Sequence, residues 1–355
     1  MAYAPLSSFC PSRRWKLAER GELGEPTGWF AVATAQELLG DRVRPSRIGH
    51  HELVVWRSVD GQARVADAQC PHMGAHLGDV GSLKDGNLVC GFHGFSFDGD
   101  GACVSTGYGG RVPPRACLKM WPSIEVDGVV LAWRHPEVSA PSWTVAPADA
   151  SGWTRPQWNT SSFAGHPMEI TENSVDLGHL QVLHGYASLD QPTSATADGP
   201  LLRASYSFSR PWRLAWPPAP TLDATIEVSA YGLGFSRVEL HVATIGARFR
   251  LWVLPTLSGD GHVTLRLGAA ARLRLDDDAP GPLRRFPPRL SAPLLRGFTL
   301  AGLVGDVAQD RKVWRSKRHL SRPALAPGDG PIGLYRQWAK QFFALPDLAA
   351  SPDPS

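Results

Sequence analysis

Two short strings hold residues that could bind an iron–sulfur centre: Cys70-Pro-His72 and, after seventeen intervening residues, Cys90-Gly-Phe-His93. Two thiolates and two neutral imidazoles are the donor set of a 2Fe-2S cluster in which both histidines bind the same iron. Imidazole in place of thiolate removes negative charge and raises the reduction potential. Each Cys/His pair must then sit on its own loop. Both strings run into segments rich in Gly and Asp, MGAHLGDVG and GFHGFSFDGDG, which suit tight turns. A structural zinc site is the competing reading. Zinc ligand pairs are usually spaced by about two to four residues, whereas Pro71 alone separates Cys70 from His72.

A second constellation runs from Glu172 and Asn173 through Asp176 and His179 to His184. Two histidines and one carboxylate on one face of an iron leave its other positions open to oxygen and substrate. His179 and His184 are five apart, which turns about 140° on a regular helix. They can meet one metal only if the helix bends or ends between them, or if the side chains reach across. Asp176, three residues before His179, shares its face and is placed to orient it through the ring nitrogen turned away from the metal. The third ligand must come from elsewhere, and Asp306 and Asp310 are the candidates.

At these residues the sequence comes to resemble a known family. CPH…CGFHGFSFDGDGAC is similar to the Rieske domain of ring-hydroxylating and related oxygenases. Respiratory-type Rieske proteins carry an extra disulfide-forming cysteine in each loop; Ala75 and Phe92 stand at those places, so the resemblance is to the oxygenase type. Many oxygenases have Pro at the place of Gly91 and Trp at that of Phe95, departures that touch no ligand. Asn173, Asp176, His179 and His184 match the family's Asn-x-x-Asp-x-x-His-x4-His motif. The resemblance implies that His179 and His184 bind a mononuclear Fe(2+), with Asp176 and Asn173 serving catalysis beside them. It also implies that Asp176 bridges a metal-bound histidine to His93 of a neighbouring subunit, hence a ring-shaped homotrimer. QDRKVWRSKRHL resembles the family's Asp-x-x-x-Trp segment, which makes Asp310 the third ligand and leaves Asp306, one turn away, as the rival.

The chemistry implied is oxygen reduction beside a bound substrate: hydroxylation, desaturation or dealkylation. No Gly-x-Gly-x-x-Gly follows a strand, so electrons from NAD(P)H are expected through a separate flavin reductase or ferredoxin. The closing stretch KRHLSRPALAPGDGPIGLYRQWAKQFF and the earlier PTGWFAVATAQEL resemble the subgroup of cholesterol 7-desaturases and 3-ketosteroid 9α-hydroxylases. That favours a hydrophobic, steroid-like polycyclic substrate over the aromatic, arylamine or natural-product scaffolds of the wider group. Two other classes compete: a lipid-binding carrier fused to a Rieske electron-transfer module without catalytic iron, and a pure electron carrier. The second would not need the long C-terminal half.

The elements that must position these residues read as an α+β fold. An N-terminal extension (1–26) precedes an all-β Rieske domain (27–137), whose runs ELVVWRS, ARVADAQ, NLVC, FSFDGDGACV and IEVDGVVLAWRH are divided by Gly and Asp turns. HPEVSAPSWTVAPADASG reads as a linker into a catalytic domain (138–355). There, residues 168–184 read as one helix. ATIEVSAY, RVELHV, ARFRLWVL and HVTLRL alternate as strands of one antiparallel sheet. LLRGFTLAGLVGDVAQDRKVWRSKR and GLYRQWAKQFF read as helices, giving a helix-grip-like sheet with helices on one side, expected to enclose an apolar cavity. The 355 residues carry a net charge of only +3, with no long basic run for nucleic acid. Five cysteines argue against a disulfide framework, and Cys10, Cys103 and Cys117 are expected as small buried hydrophobes. The first residues contain no apolar stretch fit for a signal peptide or membrane span, so a cytoplasmic protein is expected. His76 is read as an ordinary polar loop residue.

Overall fold

The computed structural model describes residues 17–18, 23–137, 140–187, 194–211, 221–259, 261–273 and 288–343, which leaves Cys10 outside the description. Three small antiparallel sheets build the first part of the chain. Gly28–Thr34, Val129–Arg134 and Ser123–Val126 form one, and Arg44–Ile48, His51–Arg57 and Ala63–Asp67 form the second. Gly81–Lys84, Asn87–Cys90, Ser96–Phe97 and Cys103–Ser105 form the third, with the one-turn helix α1 (Leu77–Val80) leading into it. Asp85-Gly86 and Asp127-Gly128 close two hairpins with φ positive at both residues (53° and 76°; 54° and 76°). That backbone lets a two-residue turn follow the twist of its strands.

The second part is built on a seven-stranded antiparallel sheet. Its order is Gln157–Ala164, His262–Leu273, Ala247–Leu257, Phe235–Val242, Thr221–Tyr231, Leu201–Pro211 and Ser194–Asp198. The four strands expected from alternation all lie in it. Gln157–Ala164 escaped that reading because it is an edge strand whose side chains are mostly half-buried or exposed. Successive side chains of a strand point to opposite faces. Along His262–Leu273, Leu265, Leu267 and Ala269 enter the core under the helices, while Ala270 joins the core shared with the first part.

The single helix expected over 168–184 is two: α2 (Pro167–Glu172) and α3 (Leu177–Val182). The Asp176 carboxylate explains the break. It accepts the His179 amide at 3.1 Å and so caps α3 in place of continuing α2. The long helix α4 (Pro288–Trp314) packs on Gln157–Ala164 and His262–Leu273, and α5 (Ile332–Ala339) packs against α2. Trp314 of α4 stacks on Phe163 with 5.8 Å between ring centroids, and the Arg311 guanidinium lies 4.8 Å over the same Phe163 ring. Glu172 is 4% exposed; its carboxylate takes Lys317 at 2.9 Å and Arg336 at 2.6 Å. Burial alone would raise the Glu172 carboxyl, but these two cations outweigh it and hold it below the ordinary range. One buried carboxylate thus ties α2 to the chain after α4 and to α5.

The other face of the large sheet is covered by the first part of the chain. A β-bulge between Gly28–Thr34 and Val129–Arg134 takes Val32 out of the ladder. The buried Arg266 guanidinium donates to the Ala31 and Val32 carbonyls, each at 2.9 Å, while Thr256 adds a bond to Ala31 and Ser46 one to Val32. At the tip of the 127–128 turn, Asp127 accepts from Arg237 at 2.9 Å and from the Trp252 indole at 3.0 Å. Gly234 is needed where a Cβ would come within 2.3 Å of the Trp29 carbonyl. Arg266→Ala strips donors from two buried carbonyls and is expected to cost about 2–4 kcal/mol. A thermal melt followed by circular dichroism tests this: the transition should fall clearly for Ala and less for Lys, and an unchanged melt for Arg266→Ala contradicts the role.

Candidate metal centres

The two Cys/His loops share one backbone design. The Cys70 amide donates to the Ala75 carbonyl and the Gly74 amide to the Cys70 carbonyl, both at 2.8 Å. In the second loop the Cys90 amide donates to Phe95 and the Gly94 amide to Cys90, again both at 2.8 Å. Gly74 and Gly94 take φ of +75° and +68°, the left-handed region glycine tolerates. A Cβ at Gly94 would also lie 2.6 Å from Gly107. The sequence obscures this kinship, because histidine falls at the third position of one loop and the fourth of the other.

These loops bring the four expected ligands together. The His72 and His93 rings meet edge to face with centroids 4.7 Å apart, and Phe95 stacks on His72 at 4.2 Å. Cys70 and Cys90 are each 2% exposed, within the small apolar core that holds Phe95 and Phe97. Burial, assisted by the neighbouring Cys90 thiol, pushes the Cys70 thiol up to about 11. A pocket this hostile to a bare thiolate suits thiolates neutralised by metal. His93 Nδ1 is buried with no hydrogen-bond partner, a donor atom that a cluster iron would satisfy. Cys117 departs from expectation: it is exposed, since Ala116 and Leu118 on either side turn inward, and Cys103 is half-buried. His76 is a polar loop residue, 3.2 Å from Asp79.

At the second centre α3 ends at Val182 and Gly185 follows with φ of +70°, so His184 lies beyond the helix. This resolves the 140° problem: one histidine is helical and the other sits on the turn after it. Donor atoms of His179, His184 and Asp310 all lie within 4.8 Å of one another. His184 Nε2 is 3.3 Å from Asp310 Oδ1, close to the roughly 3 Å between neighbouring ligands that each stand about 2.1 Å from one metal. The Nδ1 atoms of both histidines are buried without hydrogen-bond partners. Asp176 Oδ1 lies 3.5 Å from His179 Nδ1. Burial would raise the Asp176 carboxyl, but the adjoining His179 outweighs it and the group is lowered. Asn173 is the C-cap of α2, its amide donating to the Ile170 and Thr171 carbonyls. Asp306 is also buried, but it faces the opposite nitrogen of His184, with Oδ1 3.9 Å from Nδ1. The contribution of Tyr186, which donates to Asp306 at 3.2 Å, went unread in the sequence, as did those of Lys317 and Arg336. Side-chain spacing along the chain carries no signal for such long-range contacts.

A cleft of about 670 Å³ opens where the first part meets the large sheet. Its lining includes Arg47, Glu52, His76 and Arg266, so it is polar and shares no lining residue with either centre. It is not the apolar chamber expected near the second centre.

Comparison with known proteins reaches both halves of the chain. The Rieske 2Fe-2S domain matches residues 28–119, and the 3-ketosteroid 9α-hydroxylase C-terminal domain matches 132–274 and 285–343. The chain is 30% identical over 342 residues to cholesterol 7-desaturase of Hemicentrotus pulcherrimus, covering 90% of this chain and 70% of that protein. It is 26% identical over 326 residues to a probable 3-ketosteroid-9-alpha-monooxygenase oxygenase component of Rhodococcus rhodochrous, covering 89% and 79%. Dicamba monooxygenase bound to dicamba shares the fold with a TM-score of 0.65 at 21% identity, over 89% of this chain and 97% of that one. Matches over both halves lead to one conclusion: the chain belongs to the Rieske oxygenases whose second half is of the 3-ketosteroid 9α-hydroxylase C-terminal type.

Proposed function

We propose that this oxygenase oxidises a hydrophobic, steroid-like polycyclic substrate with O2, by hydroxylation, desaturation or dealkylation. Cys70, His72, Cys90 and His93 hold the 2Fe-2S cluster in this reading; His179, His184 and Asp310 hold Fe(2+). The observation that carries it is the convergence of these last three residues within 4.8 Å, in a chain that also carries the two Cys/His loops. Steroid-like chemistry is supported by the relatives, whose names specify cholesterol and 3-ketosteroids. The face of the large sheet under α4 supplies apolar side chains such as Phe208, Phe249 and Leu251 for such a substrate.

When bound, the metals would supply one-electron transfer at the cluster and oxygen chemistry at the mononuclear site. The chain's own residues do the rest. Asp176 fixes α3 through the His179 amide and stands beside the His179 ring, where it orients that ligand. Asn173, at the end of α2, is proposed to serve catalysis beside Asp176. In a homotrimer, His93 of the neighbouring subunit would complete the path to Asp176. NAD(P)H electrons enter through a separate flavin reductase or ferredoxin. The cytoplasm is the proposed compartment, in keeping with the free thiols of Cys103 and Cys117. No helix among the described residues is long and apolar enough to cross a membrane.

Asp310→Ala should lose the mononuclear iron, falling from about three irons per chain to about two, with the cluster's visible spectrum retained. Iron analysis beside absorption checks this, and loss of both signals means that Asp310 belongs to something else. Asp176→Asn should retain both metals while turnover drops about 10–100-fold; normal oxygen uptake in that variant refutes the bridging role. His93→Cys replaces a neutral ligand by an anionic one, so the cluster's potential should fall or the cluster be lost. An unchanged voltammogram removes His93 from the ligand set.

A further inference from the structure

Asp306 is one helical turn before Asp310 on α4, and its side chain is 12% exposed. It does not join the set that converges on a metal position. It lies instead across His184 from that position. Asp310 Oδ1 faces Nε2 at 3.3 Å and Asp306 Oδ1 faces Nδ1 at 3.9 Å, so one imidazole is clasped between two carboxylates of the same helix. The His184 side chain is 3% exposed, and Nδ1 is buried without a hydrogen-bond partner. Among the described residues, Asp306 is the one carboxylate within 4.0 Å of that atom. Its second oxygen is engaged from the far side by the Tyr186 hydroxyl at 3.2 Å, and the Tyr186 ring is fixed by stacking on Phe208 with 4.4 Å between centroids.

Resting on the iron site proposed above, we infer that Asp306 is a positioning residue for His184. An imidazole that gives Nε2 to a metal must carry its proton on Nδ1, and a buried N–H needs an acceptor. The Asp306 carboxylate, 3.9 Å away and not hydrogen-bonded to Nδ1 here, would supply a charged one on closing by about 1 Å when the metal is bound. It selects the tautomer with Nε2 free for the metal, fixes the plane of the ring and makes the ligand more basic. Tyr186 holds the carboxylate in turn. Both residues that frame His184 come from α4, so the pitch of one helix sets ligand and orienter together: residues four apart project from the same face one turn from each other. His179 has its orienter on its own helix cap, Asp176. His184, standing beyond α3, has no such cap and draws its orienter from across the core.

The test uses whole protein with the cluster intact and oxidised, stripped of mononuclear iron by a mild chelator and titrated with Co(2+) against a fluorescent chelator. Wild type, Asp306→Asn, Asp306→Ala, Tyr186→Phe and Asp310→Ala are compared, with the cluster spectrum as the check on folding. Asp306→Ala should weaken Co(2+) binding about 10–100-fold. Asp306→Asn, which keeps the shape and an acceptor oxygen but loses the charge, should fall between it and wild type. Tyr186→Phe should lose a few-fold. At saturation the Co(2+) electron paramagnetic resonance signal of Asp306→Asn should keep the wild-type form, because the ligand set is unchanged. Wild-type affinity in Asp306→Asn and Asp306→Ala overturns the inference, and so does a saturated signal of altered coordination, which would make Asp306 a ligand. If Asp310→Ala binds Co(2+) as wild type does, the iron site itself is wrong, an outcome distinct from failure of Asp306 alone.

Discussion

The 3.3 Å approach of His184 Nε2 to Asp310 Oδ1 is the constraint on which the rest of the second half depends. The two residues are far apart in sequence and sit on elements with no covalent reason to meet. A histidine on a turn and a carboxylate on a long helix can hold that separation only if both elements are pinned to a common body. The seven-stranded sheet is that body. α4 lies along two of its strands, anchored by Trp314 and Arg311 on Phe163. α2 packs against Ala247–Leu257 and is tied by Glu172 to Lys317 and Arg336.

Buried charge recurs as the fastening device. Glu172 faces two cations, Arg266 faces two carbonyls of a bulge, and Asp127 receives Arg237 and Trp252. A buried ion with its partners fixes orientation strictly, because any displacement leaves a charge uncompensated in a medium that cannot screen it. Arg266 and Asp127 hold the first half of the chain on the face of the sheet that the helices leave open. The cluster loops therefore project from a rigid base, at the far side of the sheet from α4.

Local features of this architecture were legible in the sequence, and distant ones were not. Cys70, His72, Cys90 and His93 could be read because each pair lies within one loop, where spacing and glycine turns are sequence properties. The strands of the large sheet showed by alternation where one face is buried, and Gln157–Ala164 did not because an edge strand has little to alternate. His179 and His184 were visible as a pair, yet their geometry was not. The pattern read as one helix, and only the end of α3 at Val182, followed by the left-handed Gly185, sets them apart correctly. Asp310 was reached through its Trp314 neighbour in the motif. Nothing along the chain could reveal that Asp306 and Tyr186 lie across His184, since that contact exists only once α4 is docked.

The central claim is that two different iron centres share this polypeptide, and the ratio of iron to acid-labile sulfide in anaerobically purified wild-type protein tests it most directly. A 2Fe-2S cluster alone gives about one iron per sulfide, and a cluster plus a mononuclear site gives about three irons for two sulfides. The account predicts the second ratio. A ratio of one, holding after reconstitution with excess Fe(2+), would contradict it.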